Sequence, residues 1–151
     1  MLEKFEKRII ITAAALLMIF LFFLMYAVGR FRTDLPACVP YDKAYTHPHI
    51  TQLDDSTYQV FMVARMWSFE PAQIYLPVGS EVDFYVTSLD VVHGFDISSK
   101  NINMMAEYGG IAKSSARFSE PGVYTITCHE YCGAGHQAMQ AEIIVNYPTK
   151  R

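Results

Sequence analysis

Between Ile9 and Val28 the chain carries no charge, and its only polar side chains there are Thr12 and Tyr26. A core helix of a small domain keeps a polar stripe for solvent; this stretch has none, which excludes that role. Twenty helical residues span about 30 Å, the depth of a bilayer's hydrocarbon core, so a transmembrane anchor is expected. Basic residues are scarce beyond it. From Asp34 onward seven basic groups face thirteen acidic ones, a net of −6, whereas residues 1–33 carry five basic and two acidic side chains, a net of +3. The acidic remainder gives nucleic acid no footing and would steer a cationic partner. There is no internal repeat and no low-complexity segment. Tryptophan occurs once, as Trp67, and cysteine three times, as Cys38, Cys128 and Cys132.

The 151 residues allow one compact domain plus an appendage. A cleaved signal peptide is the rival reading of the apolar run, since basic residues precede it, but the run exceeds an ordinary h-region and no good small-x-small site follows. Leu35-Pro36-Ala37-Cys38 only faintly resembles a lipoprotein processing site. Lys4, Lys7 and Arg8 precede the span and Arg30 and Arg32 follow it, so charge alone barely orients it. From Thr33 to Ser56 the chain is polar, with Pro36, Pro40 and Pro48, and reads as a linker. His47 and His49 bracket Pro48 and read as solvated. Cys38 reads as an unpaired, partly buried thiol.

After Ser56 short stretches rich in β-branched and aromatic residues follow one another. They are Tyr58–Val63, Gln73–Leu76, Glu81–Val86, Gly122–Thr127 and Ala141–Val145. Pro77–Ser80 and Ser119–Gly122 supply turns. This pattern predicts a mainly β sandwich.

The chemistry concentrates in Cys128-His129-Glu130-Tyr131-Cys132-Gly133-Ala134-Gly135-His136-Gln137-Ala138-Met139. Two thiols, an imidazole and a thioether in the pattern C-x3-C-x3-H-x2-M are soft donors that select copper over magnesium or calcium. A mononuclear blue-copper site uses one Cys; a second allows both sulfurs to bridge two metal ions. One more terminal ligand is then needed, and His93, at an expected strand end, is the candidate. A disulfide is the ordinary state of such a Cys pair outside the cytoplasm, and a zinc site of two Cys and two His is a further alternative. Neither accounts for the Met at its fixed offset or for the small Gly133-Ala134-Gly135 link.

From about Thr57 to Tyr147 the chain resembles the copper-binding domain of cytochrome c oxidase subunit II. The residues carrying the likeness are Val92-His93-Gly94-Phe95, Pro121-Gly122-Val123-Tyr124 and the Cys128–Met139 loop. The likeness is nearest to the B-type haem–copper oxidases, whose subunit II has one membrane span where most relatives have two. It implies four segments: an anchor over 1–32, a linker over 33–56, a cupredoxin-like Greek-key domain over 57–147 and a tail over 148–151. It also implies a dinuclear copper A centre, with Cys128 and Cys132 bridging, His93 and Met139 completing one copper, and His136 and the Glu130 carbonyl the other. With no ligand missing, a quinol oxidase, whose site is lost, is disfavoured. A c-type cytochrome would be the donor, haem in subunit I the acceptor, and oxygen reduction with proton pumping the outcome. A small single-helix subunit would fill the place of the missing span. The membrane would be that of a bacterial or archaeal cell, with the N-terminus cytoplasmic and the copper domain outside.

Finer expectations follow from the same likeness. Trp67 would receive the electron near the docking surface, against a bland reading as core packing. Glu6 would admit protons to a channel in subunit I, against an exposed helix-end carboxylate. Asp90 would brace His93, or be an ordinary turn residue. In many relatives the Glu at position 130 helps bind magnesium at the subunit I junction, but B-type relatives do not keep it. His129 matches no ligand position and would face that junction or solvent. The alternatives are a copper chaperone, whose thioredoxin-like α/β pattern is absent here, nitrous-oxide reductase, which is much longer, and a freestanding membrane-tethered electron carrier.

Overall fold

The computed structural model describes residues 3–31, 37–38 and 45–147, in two compact units divided after Thr33. The first unit is a single helix, α1 (Lys4–Phe31). It is long and apolar enough to cross a membrane. At its start the Glu3 N–H donates to the Glu6 carboxylate at 2.8 Å, closing a donor the first turn would otherwise leave open.

Among its described residues the second unit contains eleven strands: β1 (Ala37–Cys38), β2 (His49–Gln52), β3 (Thr57–Arg65), β4 (Ser68–Glu70), β5 (Gln73–Pro77), β6 (Ser80–Ser88), β7 (His93–Ile97), β8 (Ile102–Ala106), β9 (Ala112–Phe118), β10 (Gly122–Thr127) and β11 (Gln140–Asn146). One sheet runs β1-β9-β6-β3-β2, with β4 also on β3; the other runs β5-β11-β10-β7-β8. Two pairs are parallel, β3 with β6 and β5 with β11. The chain crosses between the sheets after β4, β5, β6, β8 and β9, and the two-sheet sandwich anticipated from the strand pattern is what forms.

Alternation explains why these residues make strands. Val82, Phe84 and Val86 of β6 point inward, while Glu81, Asp83 and Tyr85 do not. Between the sheets the rings of Phe69, Phe84, Phe95 and Phe118 are fully buried. Phe95 meets Phe69 edge-on at 5.6 Å and Phe84 at 5.9 Å. Such pairs add to the burial itself about 0.5–1.5 kcal/mol each.

One expectation needs revision in detail. The stretch 33–56, read as a linker, contributes β1, paired to β9, and β2, paired to β3. β2 stays exposed along its length, so it carries no apolar alternation to announce it. The side chain of Cys38 lies outside the described residues, as does the tail 148–151.

Candidate metal centre

His93 opens β7, and the loop Cys128–Met139 joins the adjacent strands β10 and β11. β10 pairs with β7 at Thr127↔Asp96, beside the end where His93 and Cys128 emerge. The loop is closed at its base by the Cys128 N–H donating to the Met139 carbonyl at 3.2 Å. A 3-10 turn, His136–Ala138, places His136 and Met139.

All the sequence-predicted ligands meet here. The two thiols are 3.7 Å apart, far beyond the roughly 2.05 Å of a disulfide. Cys132 Sγ lies 3.7 Å from His136 Nδ1 and 3.8 Å from Met139 Sδ. The Cys128 thiol donates to the Glu130 carbonyl at 3.2 Å. One ring nitrogen of His93 lies with both sulfurs in a group whose members are within 4.8 Å of one another. Cys128, Cys132, Met139 and His93 are buried, and the Glu130 side chain is exposed, leaving only its carbonyl in the cluster.

Two observations test whether this cluster suits a metal. His93 is wholly buried, yet its Nδ1 has no hydrogen-bond partner, a costly arrangement unless that nitrogen serves as a ligand. Its Nε2 meets Asp90 Oδ1 at 2.8 Å, the carboxylate–imidazole pairing that fixes a ligating ring. Burial first, then the neighbouring Cys128 thiol, pushes the Cys132 thiol up to about 11. Its thiolate therefore needs a cation beside it. A soft set of two sulfur anions, two imidazoles, a thioether and a carbonyl fits copper; a structural zinc ion takes four ligands and would leave two of these idle.

Asp90 does more than the sequence promised. Besides His93 it accepts the Met66 N–H at 2.7 Å on Oδ2 and the Val91 N–H at 2.7 Å on Oδ1. Burial works to raise its carboxyl, but the bonds from His93, Met66 and Val91 outweigh it and hold the group below the usual carboxylate range. Ser88 steadies the same turn, donating to the Val91 carbonyl and accepting from the Asp90 N–H.

Trp67 is 44% exposed, so the core-packing reading fails. Its indole N–H donates to the Cys132 carbonyl at 3.1 Å. A Cβ at Gly135 would lie 2.5 Å from the Trp67 ring, and one at Gly133 3.1 Å from its nitrogen. The glycines of the loop thus admit a ring from the turn between β3 and β4. Gly133 also has φ of +116°, where side chains are strained. Sequence reasoning missed this packing, although a lone Trp and a G-x-G inside a ligand loop were both visible. It missed Gly94 as well, whose added Cβ would meet Glu130 N and the His129 ring at 2.7 Å. His129 is exposed. The Tyr131 ring lies 5.9 Å from that of His136. Glu6 sits on the separate helical unit, and His49 stacks on Phe61 at 4.1 Å.

Comparison with known proteins agrees with this geometry. Residues 44–146 match the family described as cytochrome c oxidase subunit II, periplasmic domain. A cytochrome c oxidase subunit 2 of Thermus thermophilus is 30% identical over 93% of this chain and 91% of its own length. A chain of a haem–copper terminal oxidase dimer solved by cryo-electron microscopy is 39% identical, with a TM-score of 0.81 over 95% of this chain and 100% of that one. The periplasmic domain of subunit II (CoxB) of Bradyrhizobium japonicum, at 19% identity, covers 62% of this chain and 85% of its own with a TM-score of 0.55, a likeness of fold alone. With a cupredoxin-like sandwich and one apolar N-terminal helix, this chain belongs to the cytochrome c oxidase subunit II family.

Proposed function

We propose that the six-donor cluster holds a dinuclear copper A centre through which a haem–copper oxidase takes electrons from a c-type cytochrome. Membership of the family makes the chain a subunit of an oxidoreductase complex; the ligand set, the donor and the acceptor are our own reading. Cys128, Cys132, His93, His136, Met139 and the Glu130 carbonyl would hold the copper pair, the two thiolates supplying its anionic sulfur donors. The observation that carries this is the convergence of both thiols, His136 Nδ1 and Met139 Sδ within 3.8 Å steps, beside an orphaned buried His93 nitrogen.

A bound copper pair supplies a one-electron relay. The chain's own residues make that relay cheap to cycle. The ligand loop is tied to β10 and β11, His93 is locked by Asp90, and burial keeps water from the sulfurs. A site fixed beforehand reorganises little when its charge changes. Trp67, half exposed and bonded to the Cys132 carbonyl, joins solvent to a residue that carries one of the two sulfurs and is the electron-accepting contact. The electron then passes to haem in subunit I, where oxygen is reduced to water with proton pumping. A small single-helix subunit accompanies the complex. Helix α1 spans a bacterial or archaeal cell membrane with its N-terminus cytoplasmic and the β-domain outside. Glu6, whose carboxylate closes the helix start, is read as the helix-end residue rather than a proton port. Magnesium at Glu130 is not invoked.

The test is metal stoichiometry and the EPR spectrum of the full chain in detergent after copper loading. Two coppers per chain, with one unpaired electron coupled to both nuclei, are expected. One copper with a mononuclear spectrum, or a Cys128–Cys132 disulfide in freshly isolated protein, would sink the reading. Co-purification with a large haem-bearing subunit separates the oxidase from a freestanding carrier.

A further inference from the structure

The hairpin of β3 and β4 reaches the metal centre from the other sheet. Its strands pair as far as Arg65↔Ser68, and an ion pair from Arg65 to Glu70 at 3.3 Å crosses it. Only Met66 and Trp67 form the tip. Met66 gives its N–H to one oxygen of Asp90, while the other oxygen of Asp90 meets His93. Trp67 gives its indole N–H to the Cys132 carbonyl. Its ring lies so close over Gly135 that no Cβ fits there. The backbone at Gly135, with φ −95° and ψ 5°, is open to any residue, so the glycine is required by the ring and not by the turn.

We propose that the Met66–Trp67 tip is a clasp on the copper loop, with Trp67 a positioning residue that fixes Cys132 whether or not an electron is being passed. The proposal rests on the copper reading above. The loop is bonded within itself mainly by short-range turns, His136 N–H to the Gly133 carbonyl and Ala138 N–H to the Gly135 carbonyl. Those set the local bend. The tip adds a bond and a packed face from a different sheet, so loop and His93 are referenced to one rigid hairpin. This placement links Trp67 to the metal by mechanics as well as by proximity.

Copper release to a chelator from the loaded full chain in detergent tests it, read with EPR and the reduction potential. Partners that orient ligands change metal affinity about 10- to 100-fold when removed, and Trp67→Ala is expected to speed release by that order. Trp67→Phe, which keeps a ring and loses the N–H, should fall between. Gly135→Ala leaves Trp67 in the chain but forces ring and loop apart; it should also release copper faster, and it decides the matter if Trp67→Ala does not fold. Altered hyperfine coupling and potential should accompany each change. If Trp67→Ala and Gly135→Ala keep the parent's stoichiometry, release rate, spectrum and potential, and Trp67→Ala only slows electron transfer from a c-type cytochrome, the clasp is refuted while the copper site stands. A parent chain that binds no copper pair overturns both.

Discussion

At the residue scale, the centre depends on close approaches that need absent side chains. Gly94 follows His93, a ligand in the proposed centre, and the loop backbone at Glu130 presses directly on it. Gly94→Ala should push the Glu130 carbonyl away from the copper and leave substoichiometric metal in a folded chain, a result that metal analysis with far-ultraviolet circular dichroism would read. Far from the metal, Asp54 caps the turn before β3, accepting from the Ser56 and Thr57 N–H groups, each at 2.8 Å. Those bonds, the Ser56 N–H first and then Thr57, hold its carboxyl below the ordinary 3.8. A depressed carboxylate stabilises the fold above its unfolded value and ceases to do so as pH falls through its folded value. Asp54→Ala should therefore melt below the parent near neutral pH, and the gap should close as pH drops well under 3.8. A gap that stays constant with pH would contradict the cap.

At the scale of elements, the strands with alternating β-branched residues were legible and the rest were not. β3, β5, β6, β10 and β11 announce themselves through runs such as Glu81-Val82-Asp83-Phe84-Tyr85-Val86. β8 (Ile-Asn-Met-Met-Ala) and β9 (Ala-Lys-Ser-Ser-Ala-Arg-Phe) do not, because Met, Ala and Ser have weak strand preference. Their place is set by what they bury, Ile102, Met104 and Ala106 on one and Phe118 on the other. The ligand loop was readable because metal chemistry needs particular atoms at particular offsets. The clasp was not, since it joins residues 65 positions apart and leaves no periodic mark. The buried rings make a prediction of their own. Phe84 lies in the aromatic core against Phe95 and Phe118, so Phe84→Ala should cost about 3–5 kcal/mol in denaturant unfolding. The copper spectrum of the folded fraction should remain that of the parent.

At the scale of the whole molecule, charge is divided. The helical segment is positive and the remainder carries −6, which favours encounter with a positively charged donor. Electron transfer from a cationic c-type cytochrome should slow as salt rises from about 10 to about 150 mM, over which screening shortens from about 30 Å to about 8 Å. Stopped-flow rates that ignore ionic strength would show that docking does not use this field. The topology also bears on how the chain is made. β11 is the latest of the described strands to leave the ribosome, yet it lies inside its sheet, between β5 and β10. Until it arrives, β5 has no place to pair and the metal loop is anchored at one end only. The soft-donor cluster therefore cannot assemble until β11 is in place. Copper delivery belongs to a finished domain, and a chain stalled before Gln140 would leave the loop's two thiols, Cys128 and Cys132, exposed to oxidation instead.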